Sequence, residues 1–92
     1  MINQDRMKYI KIKEQTDYDE HDNCAIQAKY LVLNKEFYTY DAYFGNQRDL
    51  KVYNENDMRI LHFTCIDKQS KLSHSNEITD DLLAVLREIF SI

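Results

Sequence analysis

The segment that most constrains the fold of this chain is residues 78–90, with the sequence ITDDLLAVLREIF. Thr79 is suited to cap a helix N-terminus, because its hydroxyl can accept a backbone N–H from the first turn. Asp80 and Asp81 follow it and place negative charge at the positive end of the helix dipole. Apolar residues then recur at helical spacing along one side: Leu82, Leu83, Val85, Leu86, Ile89 and Phe90. We therefore predict a helix over residues 78–91, and a helix this apolar must lie on another layer of structure.

The preceding part of the chain, residues 7–67, has the composition and alternation of an antiparallel sheet. We predict about five strands, over residues 7–14, 24–33, 36–44, 49–53 and 58–67. The last of these is apolar on both faces, which is typical of a central strand buried on both sides. On composition, residues 15–23 form a polar loop, residues 68–77 a polar linker to the helix, and residues 1–6 a loose N-terminus.

Residues 24–33 are the least determined of the strands, since their alanines also permit a helix. The strand is favoured because Asn34 and Lys35 then form a two-residue turn into the aromatic segment 36–44. The resulting fold is one α+β domain, a single-layer antiparallel sheet with one C-terminal helix on one face. The uncovered face exposes part of a tyrosine set, which predicts a homodimer or a binding surface there: Tyr30, Tyr38, Tyr40 and Tyr43.

The net charge of the chain makes some classes of binding partner less favourable than others. The formal net charge is −4, from 16 acidic and 12 basic residues. This balance argues against nucleic-acid binding through a basic face and fits a protein partner with a basic surface. The densest acidic patch consists of Glu14, Asp17, Asp19, Glu20 and Asp22.

The composition also predicts the setting of the protein. No apolar run approaches the ~18 residues of a membrane helix, no secretory signal opens the chain, and cysteine is scarce. We therefore expect a reduced, cytoplasmic setting without membrane contact. The excess of Asn, Lys, Ile and Tyr over Gly, Ala, Arg and Pro indicates A/T-rich codons, as in a low-GC bacterium or a phage.

Two His-x-x-Cys spacings supply the one candidate metal set of the sequence: His21, Cys24, His62 and Cys65. Two histidines and two cysteines are a permissible tetrahedral zinc set. In a strand, however, residues three apart point to opposite faces, so His62 and Cys65 cannot both bind one ion. No nucleophile with a base and an orienting group can be assembled either. We predict no enzyme and no cofactor, and keep a zinc- or redox-responsive domain as the alternative function.

Tyr38, Tyr40, Tyr43 and Phe44 have the interleaved pattern of a platform that stacks single-stranded nucleic acid. Such a platform sits in a positive groove, but Asp41 lies within this segment and Lys35 is the nearest cation before it. A protein or dimer interface is therefore favoured, since tyrosine is enriched at interfaces for its amphipathic bulk. We expect no direct contact with nucleic acid.

These features predict a small acidic, non-enzymatic protein-binding inhibitor or regulator, encoded by a phage or mobile element. Its target would be a host nucleic-acid-binding or defence protein, such as a nuclease. In a sharper version, acidic side chains imitate DNA phosphates and occupy a DNA-binding groove. The predicted partner-binding residues are Glu14, Asp17, Asp19, Glu20, Asp22, Tyr38, Tyr40 and Tyr43. Across a dimer, a second acidic group extends the surface: Glu55, Asp57, Glu77, Asp80 and Asp81.

Overall fold

The computed structural model describes residues 8–92, which form an open antiparallel sheet of six strands and one C-terminal helix. In chain order the elements are β1 (Tyr9–Tyr18), β2 (Cys24–Val32), β3 (Lys35–Phe44), β4 (Gln47–Tyr53), β5 (Arg59–Ile66), β6 (Gln69–His74) and α1 (Asp80–Phe90). The strands have the same order in the sheet as in the chain. The α+β class, the antiparallel sheet and the C-terminal helix are confirmed, but the sheet has six strands rather than about five. The predicted loose N-terminus, residues 1–6, lies outside the described residues.

Two segments that were predicted as loop and linker belong to the sheet. Residues 15–18 continue β1 and pair with residues 24–27 of β2, so the predicted loop is wrong there. Residues 69–74 form β6 against β5, so the predicted linker is wrong there. Both segments lie on edge strands, and all their side chains except Thr16 and Leu72 are exposed. Exposed edge strands tolerate polar residues, and polar composition therefore does not separate them from loops.

β2 is a strand, as favoured, but the turn after it lies one residue earlier than predicted. Leu33 and Asn34 occupy this turn with φ of 49° and 67°, and Lys35 already belongs to β3. Positive φ at both central residues matches the twist of a tight hairpin. Leucine rarely adopts this conformation, which is why the sequence pointed to the following pair of residues instead.

β5 has a neighbouring strand on each side but is not buried on both faces, contrary to the prediction. Leu61 and Phe63 are buried on the face that the helix covers, whereas Ile66 is 48% exposed on the other face. Ile60 is also buried, because the register between β4 and β5 shifts after Val52 and leaves Ile60 as the extra residue of a β-bulge. The double apolar pattern of this strand therefore reflects a bulge and an exposed isoleucine.

The helix covers one face of the sheet and forms the core there. Thr79 Oγ1 accepts the backbone N–H of Leu82 at 3.2 Å, which confirms the predicted N-cap. The buried helix residues are Leu82, Val85, Leu86 and Phe90. They join a cluster of strand residues that includes Val32, Phe37, Leu50, Val52, Leu61 and Phe63. Burial of each such side chain contributes about 1.5–3 kcal/mol to the stability of the folded state, so the contact between the helix and the sheet is the main stabilising element of the fold. Within residues 8–92, no helix is long and apolar enough to span a membrane.

Candidate functional site

The sheet has a covered face, beneath the helix, and an open face. Residues paired directly across antiparallel strands share a face, so the strand register assigns the tyrosines. Tyr30 is on the covered face, 8% exposed, with its ring edge-on to that of Phe90 at 5.6 Å between centroids. Tyr43 is on the covered face too, and only Tyr38 and Tyr40 of the predicted set are on the open face. The open face therefore carries part of the tyrosine set, as predicted, but Tyr43, one of the predicted contact residues, lies on the covered face.

The acidic patch of the sequence includes an ordered turn between β1 and β2. The Asp19 carboxylate accepts the backbone N–H groups of His21 at 2.8 Å and Asn23 at 3.0 Å, and the side-chain amide of Asn23 at 2.9 Å. These bonds lower the pKa of Asp19, with the Asn23 side chain as the largest cause. Asn23 in turn accepts the backbone N–H of Gly45 at 3.1 Å, which ties this turn to the one between β3 and β4. Asp19 thus holds the turn in place, and its carboxylate is already occupied.

Apolar side chains are exposed beside this turn. Tyr18 ends β1 and is 73% exposed, Phe44 ends β3 and is 47% exposed, and Ile66 ends β5 and is 48% exposed. The three strand ends lie at the same end of the sheet, because alternate strands of an antiparallel meander run in the same direction. Tyr18 lies on the covered side of this end, whereas Phe44 and Ile66 lie on the open side. We name six of the exposed side chains at this end the tip surface: Asp17, Tyr18, Glu20, Asp22, Phe44 and Ile66. Asp67 and Lys68, in the β5–β6 turn, are exposed at the same end. The sequence analysis grouped Phe44 with the tyrosines of β3 and missed Tyr18 and Ile66, since alternation alone does not separate an exposed strand residue from a buried one.

The predicted acidic contact residues do not share one face. Glu14 lies on the covered side, where its carboxylate accepts the Lys11 ammonium at 3.0 Å. Asp17 lies on the open side, and Glu20 and Asp22 are exposed in the turn. The second acidic group lies towards the opposite end of the sheet, around the β4–β5 turn and the start of the helix: Glu55, Asp57, Glu77, Asp80 and Asp81. These two acidic groups therefore lie at opposite ends of the sheet rather than along one face.

Asp41 lies on the covered face, away from the open-face tyrosines. It is 5% exposed and forms a bidentate ion pair with Arg48, from Nε to Oδ1 at 2.9 Å and from Nη2 to Oδ2 at 2.8 Å. The Tyr43 hydroxyl donates to the same carboxylate at 3.2 Å, and the Arg48 guanidinium lies 5.2 Å from the Tyr43 ring centroid. The hydrogen bond to Asp41 is the main cause of a raised Arg48 pKa. Because its charges satisfy each other, this network stabilises the covered face.

The four residues of the alternative zinc set do not meet. His21 is exposed in the β1–β2 turn, and His62 is on the open face with Nε2 2.6 Å from Asp49 Oδ1. Cys24 and Cys65 share the covered face, but β3 and β4 lie between them, which separates them by about 14 Å at ordinary strand spacing. Among residues 8–92, no group of three or more His, Cys, Asp or Glu side chains is placed to hold a metal. The geometry therefore favours neither the zinc set nor a disulfide between the two cysteines.

The open face carries cations beside its tyrosines. One row of paired residues across the sheet consists of Lys13, Lys29, Tyr38, Tyr53 and Arg59. The adjacent row consists of Gln15, Gln27, Tyr40, Lys51, His62 and Ser73. We name them the open-face rows, and neither contains a carboxylate. The sequence analysis missed them because their cations come from β1, β2, β4 and β5, whereas Tyr38 and Tyr40 belong to β3.

Comparison with known protein families, curated proteins and solved structures finds no match for this chain. Its function is therefore inferred from the tip surface and the open face.

Proposed function

We propose that this protein is a small non-enzymatic inhibitor or regulator that occupies the surface of a partner protein with its tip surface. The observation that carries the proposal is the exposure of Tyr18, Phe44 and Ile66 on the two sides of one end of the sheet, the end that also carries the ordered acidic turn. Protein interfaces are centred on apolar and aromatic anchors inside a polar rim, and a few such anchors supply most of the binding energy. The turn is already held by hydrogen bonds, which reduces the entropy lost when a partner binds.

The charge of the tip surface favours a partner with a basic surface. Asp17, Glu20 and Asp22 are exposed around the apolar side chains, and complementary charge speeds association and selects among partners. A DNA-binding protein or nuclease of a bacterial host meets this requirement, and we propose that the protein acts on it in the cytoplasm, as the product of a phage or mobile element. The separation of the acidic groups between two ends of the sheet favours insertion of the tip into a basic site over imitation of a phosphate row along one face.

We also propose a homodimer, on the observation that β1 is an open sheet edge among residues 8–92. Its Ile10 and Ile12 side chains are 52% and 50% exposed, and an unpaired edge can add a strand from a second copy. Size-exclusion chromatography with light scattering gives the mass directly. A mass that stays at the 11.1 kDa of one chain at every concentration would contradict the dimer.

The tip proposal is tested by capture of partners from bacterial lysate with tagged protein, followed by elution across a salt gradient. The test variant combines Asp17→Lys, Tyr18→Ala and Glu20→Lys. The control combines Glu55→Lys and Glu88→Lys, which make the same charge change at exposed positions away from the tip. We expect wild type and control to capture the same basic protein, and the tip variant to lose it or release it at lower salt. Equal retention by the tip variant would refute the proposal.

A further inference from the structure

We propose that the open-face rows bind single-stranded nucleic acid, a function separate from partner binding at the tip surface. Two features of the sequence argue against such binding, because both place negative charge near phosphates. They are Asp41, which lies between Tyr40 and Tyr43 in the sequence, and the net charge of −4. The structure places Asp41 on the covered face, where Arg48 neutralises it. It also leaves the open-face rows without a carboxylate of their own, with Asp17, Asp49 and Glu36 in the rows beside them, so the charge of the whole chain does not describe the open-face rows.

The tyrosines of β3 supply surfaces on which bases can stack. Tyr38 and Tyr40 are two residues apart, so their side chains leave the same face about 7 Å from each other along the strand. Tyr53 of β4 pairs directly with Tyr38 and adds a third ring beside them. Tyr38 is 37% exposed, which leaves its ring accessible. Stacking on aromatic rings accepts any base, because every base has a π-face, and it requires bases that are not already stacked in a duplex.

Lysines from the neighbouring strands place positive charge next to these rings. The Lys29 ammonium lies 5.5 Å from the Tyr38 ring centroid, and the Lys51 ammonium lies 5.9 Å from the Tyr40 ring centroid. Lys13 lies directly opposite Lys29 in the register of β1 and β2, so a third ammonium belongs to the row that contains Lys29 and Tyr38. A strand of nucleic acid whose bases stack on the tyrosines would therefore have its phosphates within reach of three lysines.

The carboxylates near these lysines do not prevent such binding. Lys29 Nζ is 3.5 Å from Glu36, and Lys51 Nζ is 3.8 Å from Asp49. Both carboxylates belong to flanking rows and remain partly exposed, and ion pairs of this kind contribute little to stability. A phosphate can take the place of either carboxylate at small cost.

The shape of the face fits a flexible strand. A cavity of about 440 Å³ lies along the rows, lined among others by Lys13, Gln27, Lys29, Tyr38 and Tyr40. Glu14 also lines it, and its carboxylate is paired with Lys11 at 3.0 Å. This volume is in the range of sites that hold small organic ligands, and it suits one nucleotide. The side-chain amide of Gln27 offers both donors and acceptors to a base edge or a ribose. Aromatic surface, positive charge and amides thus meet on one face.

Fluorescence anisotropy with labelled oligo-U and oligo-dT, and with a labelled DNA duplex, tests the proposal. We expect both single strands to bind. The logarithm of the association constant should fall linearly with the logarithm of the salt concentration, with a slope of about −2 for three phosphate contacts. Tyr38→Ala and Tyr40→Ala should each weaken binding by about 5- to 150-fold, the range found when one stacking ring is removed. Tyr9→Ala removes a tyrosine that is also 37% exposed but lies on the covered side, and it should leave binding unchanged. Circular dichroism of each variant verifies that it is folded.

The lysines are tested through the salt dependence. Lys29→Gln and Lys51→Gln should each reduce the slope by about 0.7, whereas Lys35→Gln, outside the rows, should not change it. Tighter binding of oligo-U than of oligo-dT would assign RNA as the ligand, and the reverse would assign DNA.

Three outcomes would overturn the proposal: no binding of either single strand, equal affinity for the duplex, or a loss with Tyr9→Ala as large as that with Tyr38→Ala. A Tyr38→Ala variant that changes the oligomeric state instead would show that a second copy occupies the face. The lysate capture uses changes in the tip surface and the anisotropy uses changes in the rows. Either proposal can therefore fail while the other stands.

Discussion

Breaking the ion pair between Asp41 and Arg48 tests what holds the covered face of the sheet together. Only 7% of the Asp41 side chain and 17% of the Arg48 side chain are exposed, and two hydrogen bonds join them. Removal of one partner from a buried pair leaves an uncompensated charge and costs about 3–5 kcal/mol. Because the Arg48 side chain keeps some contact with water, we expect Asp41→Ala to lower the free energy of unfolding by about 3 kcal/mol, the lower end of that range.

A loss of this size is large for a domain of 92 residues, whose total stability is of the order of 5–15 kcal/mol. Urea unfolding followed by circular dichroism measures the free energy directly. Thermal unfolding should show a fall in Tm of about 12–24 °C, at about 4–8 °C per kcal/mol for a domain of this size. Glu55→Ala, at an exposed position, serves as the control and should change stability by no more than about 0.5 kcal/mol.

A double variant separates the cost of the unpaired charge from the loss of packing. Asp41→Leu with Arg48→Met replaces the pair by apolar side chains, and we expect it to recover most of the stability that Asp41→Ala loses, because neither charge then has to be buried. A double variant less stable than Asp41→Ala would refute this reasoning. So would a loss below about 1 kcal/mol in the single variant, the value typical of a surface pair.

Three further predictions concern separate elements. The pKa of Asp19 is lowered in the folded protein, so its contribution to stability is present above the unfolded pKa and is lost as the pH falls below about 4; urea unfolding of wild type and Asp19→Ala should differ at neutral pH and converge at low pH. Burial raises the pKa of Tyr30 and Tyr43, so their contribution to stability is complete below about pH 10 and is lost as the pH rises further. Absorbance titration should show tyrosine ionisation above about pH 10 that decreases in Tyr30→Phe and in Tyr43→Phe. Thr79→Ala removes the helix N-cap and should cost about 1 kcal/mol in thermal unfolding, whereas no change would contradict the capping role.

The helix and the inner strands can be predicted from the sequence because residues close together in the chain determine their conformation. Thr79 caps the helix as its hydroxyl allows, and the apolar stripe from Leu82 to Phe90 faces the sheet. The aromatic segment that contains Tyr38 and Tyr40 is a strand, as its composition predicts. These elements combine strong intrinsic preference with burial, so pattern and propensity agree.

The edge strands and the faces of the sheet depend on pairing across the sheet, which a single sequence does not reveal. β6 has one half-buried apolar residue, Leu72, and its strand conformation comes from hydrogen bonds to β5. Asp41 neighbours Tyr40 in sequence but faces the opposite side, while Lys29 and Lys51 are distant in sequence and flank the tyrosines in space. The candidate sites could therefore be predicted as residue types, but not as surfaces.

The most direct test of the proposed function is hydrogen–deuterium exchange on the complex between this protein and the basic partner captured from lysate. We expect binding to slow amide exchange in residues 17–23 and 43–47, which form the tip end of the sheet, and to leave residues 54–57 and 77–81 at the opposite end unchanged. Protection at the opposite end, with the tip residues exchanging as in the free protein, would contradict the assignment of the tip surface as the binding site.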